Sequence, residues 1–137
     1  MSQHNQNPYL LLYRSDEWYK ALSREELQKL ISENKAWIER LTAQGKAKPG
    51  HALERQGATV YGKHGRFVLD GPFAESKEAI GGYLVLNAET IEEAIAIAQS
   101  NPALAYGVSI EVRPVADECP LDVRARELAL QEQLANA

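Results

Sequence analysis

The order of apolar patterns along this 137-residue chain predicts an α+β sandwich of the ferredoxin-like βαββαβ kind, carrying one extra β-hairpin. Three observations carry that expectation. Two stretches with apolar residues at every third or fourth position each open with a capping box of the Ser/Thr-x-x-Glu type. Short runs rich in β-branched and aromatic residues precede, separate and follow those stretches. A pair of such runs also brackets Gly62-Lys63-His64-Gly65, the composition of a hairpin connection.

The first strand is Tyr9-Leu10-Leu11-Leu12-Tyr13-Arg14, a short apolar and aromatic run behind a polar tail, Met1 to Pro8, that reads as disordered. Ser15 to Leu22 is a polar connection anchored by Trp18 and Tyr19. Ser23-Arg24-Glu25-Glu26 caps a helix of about twenty residues whose buried face is Leu27, Leu30, Ile31, Asn34, Trp37, Ile38 and Leu41. Gly45 suits the left-handed position just past its end. Lys46 to Gly57 reads as a polar loop containing Pro49-Gly50, and the hairpin arms Ala58 to Tyr61 and Arg66 to Leu69 follow. Asp70-Gly71-Pro72-Phe73 breaks the pattern, and Gly81 to Asn87 is the next strand. Thr90-Ile91-Glu92-Glu93 caps a second helix, with Ile91, Ala94, Ile95 and Ala98 on its apolar face and Asn101-Pro102 at its end. Val108 to Val115 alternates as the last strand. Pro120 opens a C-terminal helix through Asn136 with Leu121, Leu128, Leu130 and Leu134 as apolar positions. The domain expected from this reading spans residues 9–115, with residues 1–8 as tail and 116–137 as a helical extension.

Composition narrows the function classes. Fifteen Lys and Arg stand against 19 Asp and Glu, a formal net charge of −4, which argues against sequence-independent nucleic-acid binding. Apolar residues make up 45%, ample for a core at a length that buries about 70% of the unfolded chain's surface in one domain. No run approaches the ~20 apolar residues of a membrane span. The amino-terminal residues lack the basic and apolar regions of a secretory signal, and Cys119 stands alone, so a cytosolic protein is expected.

Two helices cover one face of a four-stranded sheet, and alternation says which residues look away. Leu10, Leu12, Leu84, Leu86, Val108, Ile110 and Val112 are expected under the helices. Tyr9, Leu11, Tyr13, Tyr83, Val85, Glu111 and Arg113 are expected on the open face, which is too aromatic to be left in water. A homodimer joined sheet to sheet resolves this.

The densest chemical constellation is Asp70-Gly71-Pro72-Phe73-Ala74-Glu75-Ser76-Lys77-Glu78 before Gly81-Gly82. Pro72 fixes its own φ and extends Gly71, making a rigid corner. A carboxylate held there can act as a general base or bind a cation, with Glu75, Lys77 and Glu78 tuning it or binding substrate. The same carboxylate can instead hold the turn by accepting loop amides. Glu111 and Arg113, on one side of the last strand, suit either an anionic substrate or an interface ion pair. Of His4, His51 and His64, only His51, after Pro49-Gly50, falls near a prospective pocket. No pair has metal-ligand spacing, and no cofactor fingerprint is present.

The run from Asp70 to Tyr83 resembles the signature of the YCII-related family in its DGPF branch. Trp37-Ile38-Glu39-Arg40-Leu41 with Gly45-Lys46 is similar to that family's first-helix end, Gly62-Lys63 with Gly65 to its hairpin, and Glu111-Val112-Arg113-Pro114-Val115 to its closing strand. The resemblance covers Tyr9 to Val115. It implies a ferredoxin-like fold assembled as a dimeric α+β barrel, with a cleft around Asp70. One divergent branch includes a dechlorinating enzyme of aromatic catabolism, and related members carry a His–Asp pair. Other members are linked to extracytoplasmic-function sigma factors, which implies a regulatory alternative. The reading that follows is a homodimer binding or acting on a small organic molecule, an anion included, without a cofactor or metal. Asp70 is its base or polariser, and Glu75, Lys77, Glu78, Tyr83, Arg113 and Trp37 line the site. The alternative is a non-catalytic interaction or regulatory module.

Overall fold

The computed structural model describes residues 7–14, 17–54, 56–63, 66–70 and 80–137. Strand β1 (Asn7–Arg14) leads through a 3-10 turn (Trp18–Ala21) to helix α1 (Arg24–Ala43) and a two-residue strand β2 (Ala47–Lys48). A hairpin of β3 (Thr59–Lys63) and β4 (Arg66–Asp70) precedes β5 (Ile80–Ala88) and α2 (Ile91–Gln99). A second 3-10 turn (Pro102–Tyr106), β6 (Ser109–Pro114) and α3 (Pro120–Ala135) complete the chain. The main sheet is antiparallel in the order β2-β5-β1-β6, and β3 and β4 form a separate two-stranded sheet. With the hairpin set aside, this is the strand order of a ferredoxin-like α+β fold.

Local chemistry sets the helix ends. At α1 the Glu26 amide donates to Ser23 Oγ (3.1 Å) and the Ser23 amide to Glu26 Oε1 (2.9 Å), so both halves of the capping box form. At its other end Gly45 adopts φ +72°, its amide donating to the Thr42 carbonyl and the Lys46 amide to that of Leu41. That Schellman arrangement stops the helix and delivers Ala47 to the sheet edge. At α2 the box is only half formed. Glu93 N donates to Thr90 Oγ1 (3.1 Å), whereas the Glu93 carboxylate accepts from the Glu89 amide (2.8 Å), one residue earlier than the pattern predicts.

Between sheet and helices, Trp37 and Leu41 of α1 and Ala94, Ile97 and Ala98 of α2 pack on Tyr9, Leu11, Leu84 and Leu86. Leu11 and Leu86 are fully buried, each stabilising the fold by about 1.5–3 kcal/mol. A second cluster of Leu30, Ala103 and Val108 extends this core toward Trp18 and Tyr106.

Two expectations are corrected. The faces of β1 are inverted: Tyr9 and Leu11 are in the core, and Leu10 and Leu12 lie on the open face. Register decides this. Leu11 pairs with Leu84 and Val112, and Tyr9 with Leu86; residues directly opposite one another share a face, and Leu84 and Leu86 lie under the helices as expected. A run of Tyr and Leu carries no polar marker to say which set turns inward. The second correction concerns Lys46 to Gly57, which is not all loop: Ala47 and Lys48 pair with Leu86 and Val85 as the sheet edge. The C-terminal helix forms as expected, but none of its residues is buried and Leu121, Leu128, Leu130 and Leu134 are exposed. Among the described residues no helix is long and apolar enough to cross a membrane.

Candidate functional site

The edge strand places the site. After Lys48 pairs with Val85, the chain steps out at Pro49-Gly50 and returns with Ala52 bridged to Gly82. The edge takes one residue more than β5 over that stretch, which is a β-bulge, and Pro suits it because no ladder amide is needed there. The pairing resumes with Tyr83 N donating to the His51 carbonyl (3.0 Å) and Leu53 N to that of Gly81 (2.8 Å). Gly50 passes so close to β5 that a Cβ on it would stand 1.8 Å from the Tyr83 carbonyl oxygen. Only glycine allows that approach.

The close approach brings two rings together. His51 Nδ1 lies 2.7 Å from Tyr83 Oη, with ring centroids 5.7 Å apart. Either partner can donate, depending on the imidazole tautomer. Beside this pair is a cavity of about 280 Å³. Tyr13, Asn34 and Ile38 line it from β1 and α1, Pro49 to Ala52 from the edge, and Gly81 to Leu84 from β5. Two consecutive glycines at the start of β5, Gly81 and Gly82, put no side chain into the cavity there. An imidazole and a phenol held in one hydrogen bond can present a donor to an anionic oxygen or pass a proton between a ligand and solvent.

The residues singled out from sequence fall in different places. Tyr83 is in the site, bonded to His51. Trp37 is a core residue, 2% exposed, whose indole Nε1 donates to Ser100 Oγ (2.8 Å). Arg113 is exposed on β6, 3.8 Å from Glu111, whose other carboxylate oxygen accepts from Arg14 at 2.9 Å. Asp70 ends β4, opposite Thr59. Glu75, Lys77 and Glu78 lie outside the described residues. Among the described residues no cluster of three or more His, Cys, Asp and Glu could hold a metal ion.

Three further residues of the cavity carry polar chemistry: Tyr13 and Asn34, to which the sequence reading gave no site role, and His51, which it placed near a prospective pocket without a role. Each had a signal. Asn34 interrupts an apolar helix stripe, Tyr13 follows three leucines near the end of β1, and His51 follows a Pro-Gly step. Burial raises the Tyr13 pKa above its ordinary value, and the Asn101 amide donating to its oxygen (2.8 Å) opposes that rise with smaller effect.

Comparisons with known proteins identify the family. An uncharacterised protein of Rhizobium meliloti (strain 1021) is 31% identical over 112 residues, covering 78% of this chain and 90% of its own. Among solved structures, 5-chloro-2-hydroxyhydroquinone dehydrochlorinase from Burkholderia phenoliruptrix AC1100, in complex with 2,5-dihydroxybenzoquinone, aligns at a TM-score of 0.42 and 22% identity. That alignment covers 80% of this chain and 95% of the other. The YCII-related domain matches residues 8–118. That match runs from the opening strand of the sheet through its closing strand, and the chain belongs to the YCII-related family.

Proposed function

We propose that this protein is a homodimer that binds or acts on a small organic acid in the cavity beside His51 and Tyr83, with Asp70 as its base or polariser. The observation that carries this reading is the His51–Tyr83 hydrogen bond beside a cavity whose other walls are glycine and apolar side chains together with Tyr13 and Asn34. Exposed polar pairs of this kind are rarely needed for stability, yet here a glycine with no room for a Cβ and an edge bulge maintain one. Asp70 enters through the chain itself: residues 71–79 join it to β5, whose first residues line the cavity. The same segment carries Glu75, Lys77 and Glu78, proposed as the polar wall. The dimer is supported by the open face, where Leu10, Leu12, Tyr83 and Val85 lie beside one another in register. Its closure would cover one side of Tyr83.

The test is a thermal-shift screen of small carboxylic acids and acidic phenols against the wild-type chain, Asp70→Asn and His51→Gln. A ligand present at about 100 Kd adds about 2.7 kcal/mol to the native state, several degrees in Tm at this size. The expected result is a compound that raises the wild-type Tm and raises that of both variants by much less. A panel that moves no Tm, or moves all three alike, overturns the reading.

A second reading, an interaction or regulatory module, is favoured by α3, whose four leucines are exposed. It gains if the screen is silent and removal of α3 abolishes binding to a protein partner.

A further inference from the structure

A second cavity, of about 330 Å³, adjoins the first. It shares Tyr13, Asn34 and Gly81 with it, and its remaining wall is mostly apolar: Trp18, Leu27, Leu30, Ile31 and Ala103, with Tyr19 beside them. The shared polar groups are arranged in a definite way. Asn101 is 3% exposed, and its Oδ1 accepts the Ala103 amide at 2.8 Å. That bond fixes which end of the amide is nitrogen, and the nitrogen donates to Tyr13 Oη at 2.8 Å. The Tyr13 oxygen is therefore an acceptor toward Asn101, and its own proton points elsewhere. Among the described residues no side chain accepts it, and the Asn34 amide has no side-chain partner either. A phenol whose pKa is raised by burial is a neutral donor at ordinary pH.

We infer that the two cavities are halves of one binding site, and that Tyr13 and Asn34 form the polar seam between them. The ligand class follows: an acid end at His51 and Tyr83, a carbonyl-type oxygen accepting from Tyr13, and an aromatic or branched apolar body against Trp18, Leu27 and Leu30. This rests on the small-acid reading of the His51 cavity and specifies its substrate.

Three probes separate the parts, titrated into the full-length ¹⁵N-labelled chain: 4-oxo-4-phenylbutanoate, 4-phenylbutanoate and acetate. The expected result is that the oxo acid shifts amides in both halves and binds about threefold to tenfold tighter than 4-phenylbutanoate, the worth of one hydrogen bond. Tyr13→Phe should erase that difference. Leu27→Trp should fill the apolar half and weaken both phenyl acids while leaving acetate unchanged. Asn34→Leu, whose amide has no structural partner among the described residues, tests the seam if Tyr13→Phe does not fold. Equal binding of the two phenyl acids overturns the role given to Tyr13. Shifts confined to the His51 and Tyr83 half, with Leu27→Trp binding like wild type, overturn the two-part site and leave the small-acid reading standing. No shift at His51 or Tyr83 with any acid overturns both.

Discussion

At the scale of single residues, the site depends on one position with no side chain and one with a buried hydroxyl. A methyl on Gly50 would meet backbone first, 1.8 Å from the Tyr83 carbonyl oxygen, which cannot swing aside as a side chain could. Gly50→Ala must therefore push the edge off β5, costing about 1–3 kcal/mol as overpacking does, and it should break the Tyr83-to-His51 backbone bond. Amide exchange at Tyr83 would report this, and unchanged protection there would refute it. Tyr13 gives a pH prediction. Its folded pKa is raised above the unfolded value near 10.0, so the native state holds that proton more tightly. The stabilisation is fully present below about pH 10 and is lost as pH rises through the folded value. In an ultraviolet titration, the tyrosinate signal lost in Tyr13→Phe should belong to a late step, above the ordinary tyrosine value. A titration curve that keeps its late step in the variant assigns it to another tyrosine.

At the scale of elements, what was legible in the sequence was what is decided within a few residues. The Ser23 box, the Gly45 stop, the hairpin and the C-terminal helix depend on neighbours in the chain, and they stand where the pattern puts them. What was not legible depends on register against a distant strand. Ala47-Lys48 has no strand signature, and it is a strand because the Schellman turn aims it at Leu86 and Val85. The faces of β1 were open to either choice for the same reason. The site inherits that limit: His51 and Tyr83 are 32 residues apart, and only the bulge brings them together. Two predictions belong here. Ser23→Ala removes one capping bond and should cost about 0.5–2 kcal/mol in chemical denaturation; a loss below that range would mean Glu26 alone secures the helix start. Ending the chain at Val115 should leave the Tm of the domain unchanged, because α3 buries none of its residues. A drop of several degrees would show that α3 packs against something outside the single chain.

At the scale of the whole molecule, the question is what covers the face of the sheet opposite the helices. Leu10 and Leu12 lie there beside Val85 and Tyr83, bordered by Glu111 and Arg113 on β6. Arg14 and Glu111 are in contact at 2.9 Å, with Arg113 at 3.8 Å from the same carboxylate, so the charged edge of the face already carries an opposite-charge group. A stable interface buries about 1,200–2,000 Å² in total, and two copies meeting face to face would cover Leu10 and Leu12 in both. In the proposed homodimer Leu12 is central, opposite Tyr83 on one side and Glu111 on the other. Its replacement by aspartate would bury an unpaired charge in each half, at a cost on the order of 3 kcal/mol or more per site. The wild-type chain should sediment as a dimer and Leu12→Asp as a folded monomer with native circular dichroism. Tyr83 sits on that same face, so the monomer should also lose affinity for any acid that the His51 cavity binds. A wild-type monomer would remove the dimer from the proposal, and a monomeric Leu12→Asp that binds as tightly as wild type would show that one copy completes the site.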